Sequence, residues 1–263
     1  MSNPQIGTHE YFERLYEVEE GHWWSRGMRE IAAGILRSRV EAAGASVLDA
    51  GCGTGINLGW LRQFRPRRVV GVDLSRDALE FCRRRGEARL AQASVLALPF
   101  AGESFELVVC NDVIQHLPGR GGDLAALKEF RRVLRPGGHL LVRTNASWGL
   151  GEAGDEDYRR YRLDELCALV RGAGFEVSRA TYANALPALL GRVRRLRPEP
   201  ASQAGPHRHN PGLGIRLFPA HLRWLNTALH WLMKGEARLL ARPAATLSFG
   251  HTIFFLARRL EDE

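Results

Sequence analysis

One segment constrains this chain more than any other: Ser46-Val47-Leu48-Asp49-Ala50-Gly51-Cys52-Gly53-Thr54-Gly55. A short apolar run of strand length ends in three alternating glycines, and a helical segment through Trp60 and Leu61 follows. Glycines at such a turn allow positive φ and let a ligand lie against peptide groups that a Cβ would cover. A second buried strand, Arg68 to Asp73, ends in a carboxylate twenty-two residues after Gly51. An acid there is placed to accept hydrogen bonds from both hydroxyls of a ribose. The spacing excludes a dinucleotide fingerprint, since G-x-G-x-x-G needs a glycine at position 56 or 58, where Ile56 and Leu58 stand. The turn therefore serves a ligand without a pyrophosphate.

Beyond this unit, strands and helices alternate. Ser75 is an N-cap for a helix over Asp77 to Arg85, and a third, weaker strand covers Arg89 to Ala93. Phe105 to Asn111 is the fourth strand. A helix from about Asp123 to Leu134 is stopped by Arg135-Pro136-Gly137-Gly138, because proline and paired glycines end a helix and reverse the chain. His139 to Thr144 is the fifth strand, Leu163 to Ala173 a helix, and Phe175 to Ala180 the sixth strand. Apolar periodicity predicts helix from about 8 to 43, and again over Ile215 to Leu240, where Leu222, Leu225, Leu229 and Leu232 share a stripe. Leu247 to Ala257 closes the chain as a last strand. The pattern predicts an α/β fold, a doubly wound, mostly parallel, seven-stranded sheet. Its expected parts are an N-terminal helical lid (1–43), a cofactor-binding core (44–183), a helical insertion or cap (184–246) and the core's last strand (247–263).

Composition narrows the function classes. Hydrophobic residues at 45% and charged residues at 25% are ordinary globular values. No run approaches the ~20 apolar residues of a membrane-spanning helix, and the acidic first twenty residues are not a secretory signal, so a cytoplasmic location is expected. The net charge of +8 invites a nucleic-acid partner, but all but two of the 37 basic residues are arginine, spread along the chain rather than packed in one arm. The excess follows codon composition, and nucleic acid is not the expected partner. Cys52, Cys82, Cys110 and Cys167 form no CxxC pair, and neither a disulfide framework nor a metal site is expected.

Four pieces in order resemble the class I S-adenosylmethionine-dependent methyltransferases of the small-molecule type. They are Asp49 to Gly55; the strand-ending Asp73; Leu98-Pro99-Phe100 with Phe105 to Val109 running into Val113-Ile114-Gln115-His116-Leu117; and Leu134-Arg135-Pro136-Gly137-Gly138. The likeness is close over Ser46 to Ala146 and looser over Tyr158 to Val177. It implies a Rossmann-like methyltransferase fold and S-adenosylmethionine as cofactor, with S-adenosylhomocysteine as product. By the same resemblance Asp49, Gly51, Cys52 and Gly53 hold the methionine part, Asp73 the ribose, and Leu74 with Val95 the adenine. Asn111 lies under the sulfonium end. Ser94 departs from the pattern, where the family usually has an acid for the adenine amino group, and serine can still accept one hydrogen bond.

Methyl transfer from a sulfonium asks the protein mainly to align the acceptor and exclude water, with a base only where the acceptor must lose a proton. His116, just past the fourth strand, is the candidate base. His22, Tyr158, Arg160 and Tyr161 are candidate acceptor contacts, and Trp24 a cover for the cofactor, since a cation is favoured against an aromatic face. Residues 213–240 read three ways: a cap over an apolar acceptor, with Arg216 or Arg223 for a negative group, a peripheral membrane contact, or a dimer contact. A small-molecule acceptor and a monomer or homodimer are expected. RNA methylation and a non-catalytic cofactor-binding module are the alternatives.

Overall fold

The computed structural model describes residues 5–119, 121–147, 159–189, 218 and 220–261. Its strands are β1 (Ser46–Ala50), β2 (Arg68–Asp73), β3 (Leu90–Gln92), β4 (Phe105–Asn111), β5 (Leu134–Asn145), β6 (Phe175–Ala183) and β7 (Thr252–Arg259). They form one sheet in the order β3-β2-β1-β4-β5-β7-β6. The first five strands run parallel, and β7 is antiparallel to both of its neighbours. This is the seven-stranded doubly wound sheet that the alternation of strands and helices predicts.

Parallel strands need both faces covered, and successive side chains supply them. Leu48, Val108, Leu140 and Phe255 point to one face, where they meet Ala126, Leu127 and Phe130 of α5 (Gly122–Val133) and Leu166 and Val170 of α6 (Leu163–Gly172). Their neighbours Val47, Leu107, Leu141 and Phe254 point to the other face. There they meet Met28, Ile31 and Ile35 of α2 (Trp23–Arg37), Leu58 of α3 (Ile56–Leu61), Leu79 of α4 (Arg76–Arg84) and Met233 of α7 (Arg223–Leu240). The chain winds outward from β1 through β2 to β3, then returns to β4 on β1's other side. Ligands in such sheets bind outside the carboxyl ends of the strands at that reversal.

The helical stretch expected over 8–43 is two helices, α1 (His9–Val18) and α2, because each has its own N-cap. The Thr8 hydroxyl accepts from the Tyr11 amide, and His22 Nδ1 accepts from the Trp24 amide. Arg135 to Gly138 does not precede β5 but lies within it, absorbed by an irregularity in register. Leu134 faces Phe105 and His139 faces Leu107, so the extra residues bulge out of the ladder. β6 runs on to Ala183, and β7 starts at Thr252 rather than Leu247, whose amide instead bonds the Thr181 hydroxyl.

The insertion helix meets the sheet's carboxyl edge at β6, where Glu236 accepts from the Asn184 and Ala185 amides. α7 lies along α2, whose glycines permit the approach: a Cβ on Gly27 would stand 2.6 Å from that of Met233. The Asn226 side chain accepts from the Trp23 amide at 3.0 Å and donates to the Gly21 carbonyl at 2.9 Å. Residues 190–217 of the insertion fall outside the described residues.

Candidate functional site

The glycine turn is built around Asp73. Gly51, Gly53 and Gly55 all have positive φ, and the amides of Gly51 and Cys52 both donate to the Val72 carbonyl. The Gly53 amide donates to Asp73 Oδ2 at 2.8 Å, and the Ser75 amide to Oδ1 at 2.9 Å. Each carboxylate oxygen is thereby fixed while retaining a lone pair. Burial raises the Asp73 pKa, and the bonds from Ser75 and Gly53 oppose the rise. A Cβ on Gly53 would meet nothing within 4 Å, whereas one on Gly51 would run into Val113. Gly53 thus borders open space and Gly51 a packed wall.

That open space is a cleft of about 1020 Å³ at the carboxyl ends of β1, β2 and β4. Gly51, Cys52, Gly53, Asp73 and Leu74 line it from β1 and β2, with Ser94 and Val95 beyond β3. Asn111, Asp112, His116, Arg143 and Asn145 line the β4–β5 side, and Trp24 and Arg29 enter from α2. Tyr11, Phe12 and Leu15 of α1 form a further wall, although periodicity predicts only a helix there. The N-terminal segment is clasped to the glycine turn. Glu19 is buried, accepts from the Thr54 hydroxyl, and pairs with Arg85 at 3.0 Å.

The electrostatics divide the cleft. Arg143, nine-tenths buried at a strand end, pairs with Asp112 through Nε at 3.1 Å and sits 5.0 Å over the Trp24 ring. Burial lowers the Arg29 pKa to about 10, and its bond to the Glu19 carbonyl is long, at 3.4 Å. Asp49 lies one layer beneath the turn, fully buried, with no hydrogen-bond partner for either oxygen among the described residues. Burial, then the charge of Asp73, pushes its pKa up to about 7. Asn111 Oδ1 is also buried and unpartnered. Asn111 at the cleft wall and Asp49 buried beneath it are two unused acceptors that suit a cationic donor, and the Asp73 carboxylate suits a diol. Burial lowers the His116 pKa against the pull of Asp112, which favours the neutral imidazole that a base requires.

Ten of the eleven residues expected to flank the cofactor or serve as base share this cleft, and the eleventh, Asp49, lies beneath it. The expected acceptor contacts that fall among the described residues do not line it. His22 is spent on capping α2 and lines no wall. The Tyr161 hydroxyl is buried against Asp123 at 3.1 Å and the Ile114 carbonyl at 3.3 Å, and Arg160 is not among the lining residues. Tyr158 and Arg216 lie outside the described residues, and Arg223, the first residue of α7, is not among the lining residues. Ser94 Oγ accepts from the Leu96 amide at 3.1 Å, which leaves its hydroxyl proton to donate.

A doubly wound sheet with a ribose-type acid, a glycine turn and an open crevice at its switch point defines a Rossmann-like cofactor-binding protein of the methyltransferase type. Residues 48–142 match the family model described as a methyltransferase domain. A candidate methyltransferase of Encephalitozoon cuniculi is 33% identical over 153 residues, half of this chain and 70% of that protein. A fatty-acid O-methyltransferase of Mycolicibacterium smegmatis is 38% identical over 108 residues, 40% of this chain and 38% of its own length, so the chain spans well under two thirds of that relative. The fold matches a methyltransferase solved in complex with the Trm112 activator of Haloferax volcanii, with a TM-score of 0.59 and 18% identity over 97% of this chain and 98% of that one. This chain belongs to the class I S-adenosylmethionine-dependent methyltransferases, and S-adenosylmethionine is its cofactor. The orphaned acceptors of Asp49 and Asn111 and the space over Gly53 fit that molecule's ammonium and methionine chain.

Proposed function

We propose that this protein methylates an O, N or C atom of a small-molecule acceptor that carries an apolar part. The observation that carries the reading is one cleft lined both by Gly53, Asp73 and Ser94 and by His116 and Asn111, with the apolar residues Phe12 and Leu15 and the Tyr11 ring of α1 along its wall. When bound, S-adenosylmethionine supplies an electrophilic methyl group on a sulfonium. In this reading Asp73 holds the ribose, Leu74 and Val95 flank the adenine, and Gly51, Cys52 and Gly53 present backbone to the methionine chain. Asp49 and Asn111 take its ammonium, and Arg29 faces its carboxylate. Trp24 and α1 exclude water from the reacting centre.

Where the accepting atom carries a proton, His116 takes it, and Asp112 stabilises the imidazolium that results. The fatty-acid specificity of the mycobacterial relative makes an acyl carboxylate the first acceptor to try. The test is transfer of a radiolabelled methyl group to a panel of fatty acids, amines, phenols and tRNA. Labelling of an apolar small molecule supports the reading. Labelling of tRNA alone, or of nothing while the cofactor binds, would overturn it in favour of an RNA enzyme or a binding module.

A further inference from the structure

The outward face of α7 is apolar and unpartnered among the described residues. Its inward residues His230, Met233, Ala237 and Leu240 are buried against α2 and the sheet. Trp224, Ala228, Trp231, Leu232 and Leu239 recur at helical spacing on the opposite side. Trp224 is 64% exposed and Trp231 58%, far more than large aromatic side chains usually are. The charges beside this stripe have one sign. Arg223, Lys234 and Arg238 flank it along one side, and Arg242 follows just past the helix. The helix's one acid, Glu236, is turned inward to accept from the amides of Asn184 and Ala185. Glu30 of α2 is paired with His230 at 3.2 Å.

We propose that α7 docks this protein on an anionic lipid surface. Tryptophan and leucine enter the headgroup–acyl boundary while arginine and lysine meet the lipid phosphates, which is how a basic amphipathic helix binds in the plane of a membrane. A second copy fits less well, because a two-fold contact would bring the same four cations face to face. Nucleic acid would use the cations and leave the tryptophans and leucines in water. The helix is already held rigid by α2 and by the Asn226 clasp, so docking needs no folding step. That clasp grips Trp23, one residue from the cleft residue Trp24, and so joins the docking face to the cleft wall. The proposal stands whether or not the acceptor is an acyl compound.

Flotation of the full chain with phosphatidylcholine vesicles, with and without phosphatidylglycerol, tests it. The protein should float only with the anionic vesicles, with a blue shift of tryptophan emission, and added salt should release it. Lys234→Gln and Arg238→Gln should each weaken binding about 5-fold, as expected for one basic residue at such a surface. Trp231→Ser should abolish it while leaving the melting temperature and cofactor affinity unchanged. No flotation of the wild type, or equal flotation of these variants, refutes the proposal. So does a dimer in sedimentation equilibrium that Trp231→Ser dissolves, since the stripe would then belong to a second copy.

Discussion

Replacing Asp49 with Asn should stabilise the cofactor-free protein, and increasingly so as pH rises. Asp49 is fully buried without a hydrogen-bond partner among the described residues, and burial lifts its pKa from the ordinary 3.8 to about 7. Because the folded value is the higher one, the folded state binds the proton more tightly. The acid therefore costs nothing below pH 3.8, and its full penalty is reached only above about pH 7. At about 1.4 kcal/mol per pH unit, that penalty is on the order of 4 kcal/mol, of which about 1.7 is already present at pH 5. Urea unfolding of wild type and Asp49→Asn at pH 5 and pH 8 should show their gap widening by about 2.5 kcal/mol in favour of the variant. The cofactor should reverse the advantage, because asparagine offers no charge to its ammonium. A gap that stays constant or narrows with pH would refute the claim that Asp49 is an unsatisfied acid held for a ligand.

Asp73→Ala should weaken cofactor binding by about 1.5–3 kcal/mol in a calorimetric titration, with part of the loss coming from the freed Gly53 and Ser75 amides; an unchanged affinity would remove Asp73 from the ribose. His116→Ala should lower turnover ~10²–10⁴-fold while leaving cofactor affinity intact. In the wild type the rate should rise with pH through the lowered His116 pKa and be level at pH 7, and a near-native rate in the variant would mean another group is the base. Glu19→Ala should destabilise the protein by about 3 kcal/mol, since Arg85 loses its buried carboxylate and keeps only the exposed Glu20 at 3.8 Å and two carbonyls; thermal unfolding unchanged from the wild type would show that the clasp contributes little.

The glycine turn and Asp73 were legible in the sequence because the unit is local. Strand, turn, helix and strand follow one another within thirty residues, and the chemistry sits at the strand ends. The walls that come from elsewhere were not. Tyr11 and Leu15 show only the spacing of an amphipathic helix, which gives no hint of whether its face meets a core or a cleft. Arg143 carried a usable signal, a charge inside the apolar run from His139 to Thr144, as did Glu19 just before the aromatic cluster. Asp112 carried none beyond its place next to Asn111. Tyr161 and His22 misled for a physical reason, since their polar atoms satisfy nearby groups, Asp123 and the Trp24 amide, rather than a ligand. Residues 213–240 left three readings open because an amphipathic stripe does not say which face packs inward, and in the structure the inward face takes α2.

The account rests on the cleft above Gly53 being the seat of S-adenosylmethionine. Its most direct test is calorimetric titration of S-adenosylhomocysteine into the wild type and Gly53→Val. The glycine borders open space, so a valine side chain would project into the volume assigned to the methionine chain. The account predicts one site in the wild type and no measurable binding to a folded Gly53→Val protein. No binding heat in the wild type, or the same dissociation constant in both proteins, would contradict it.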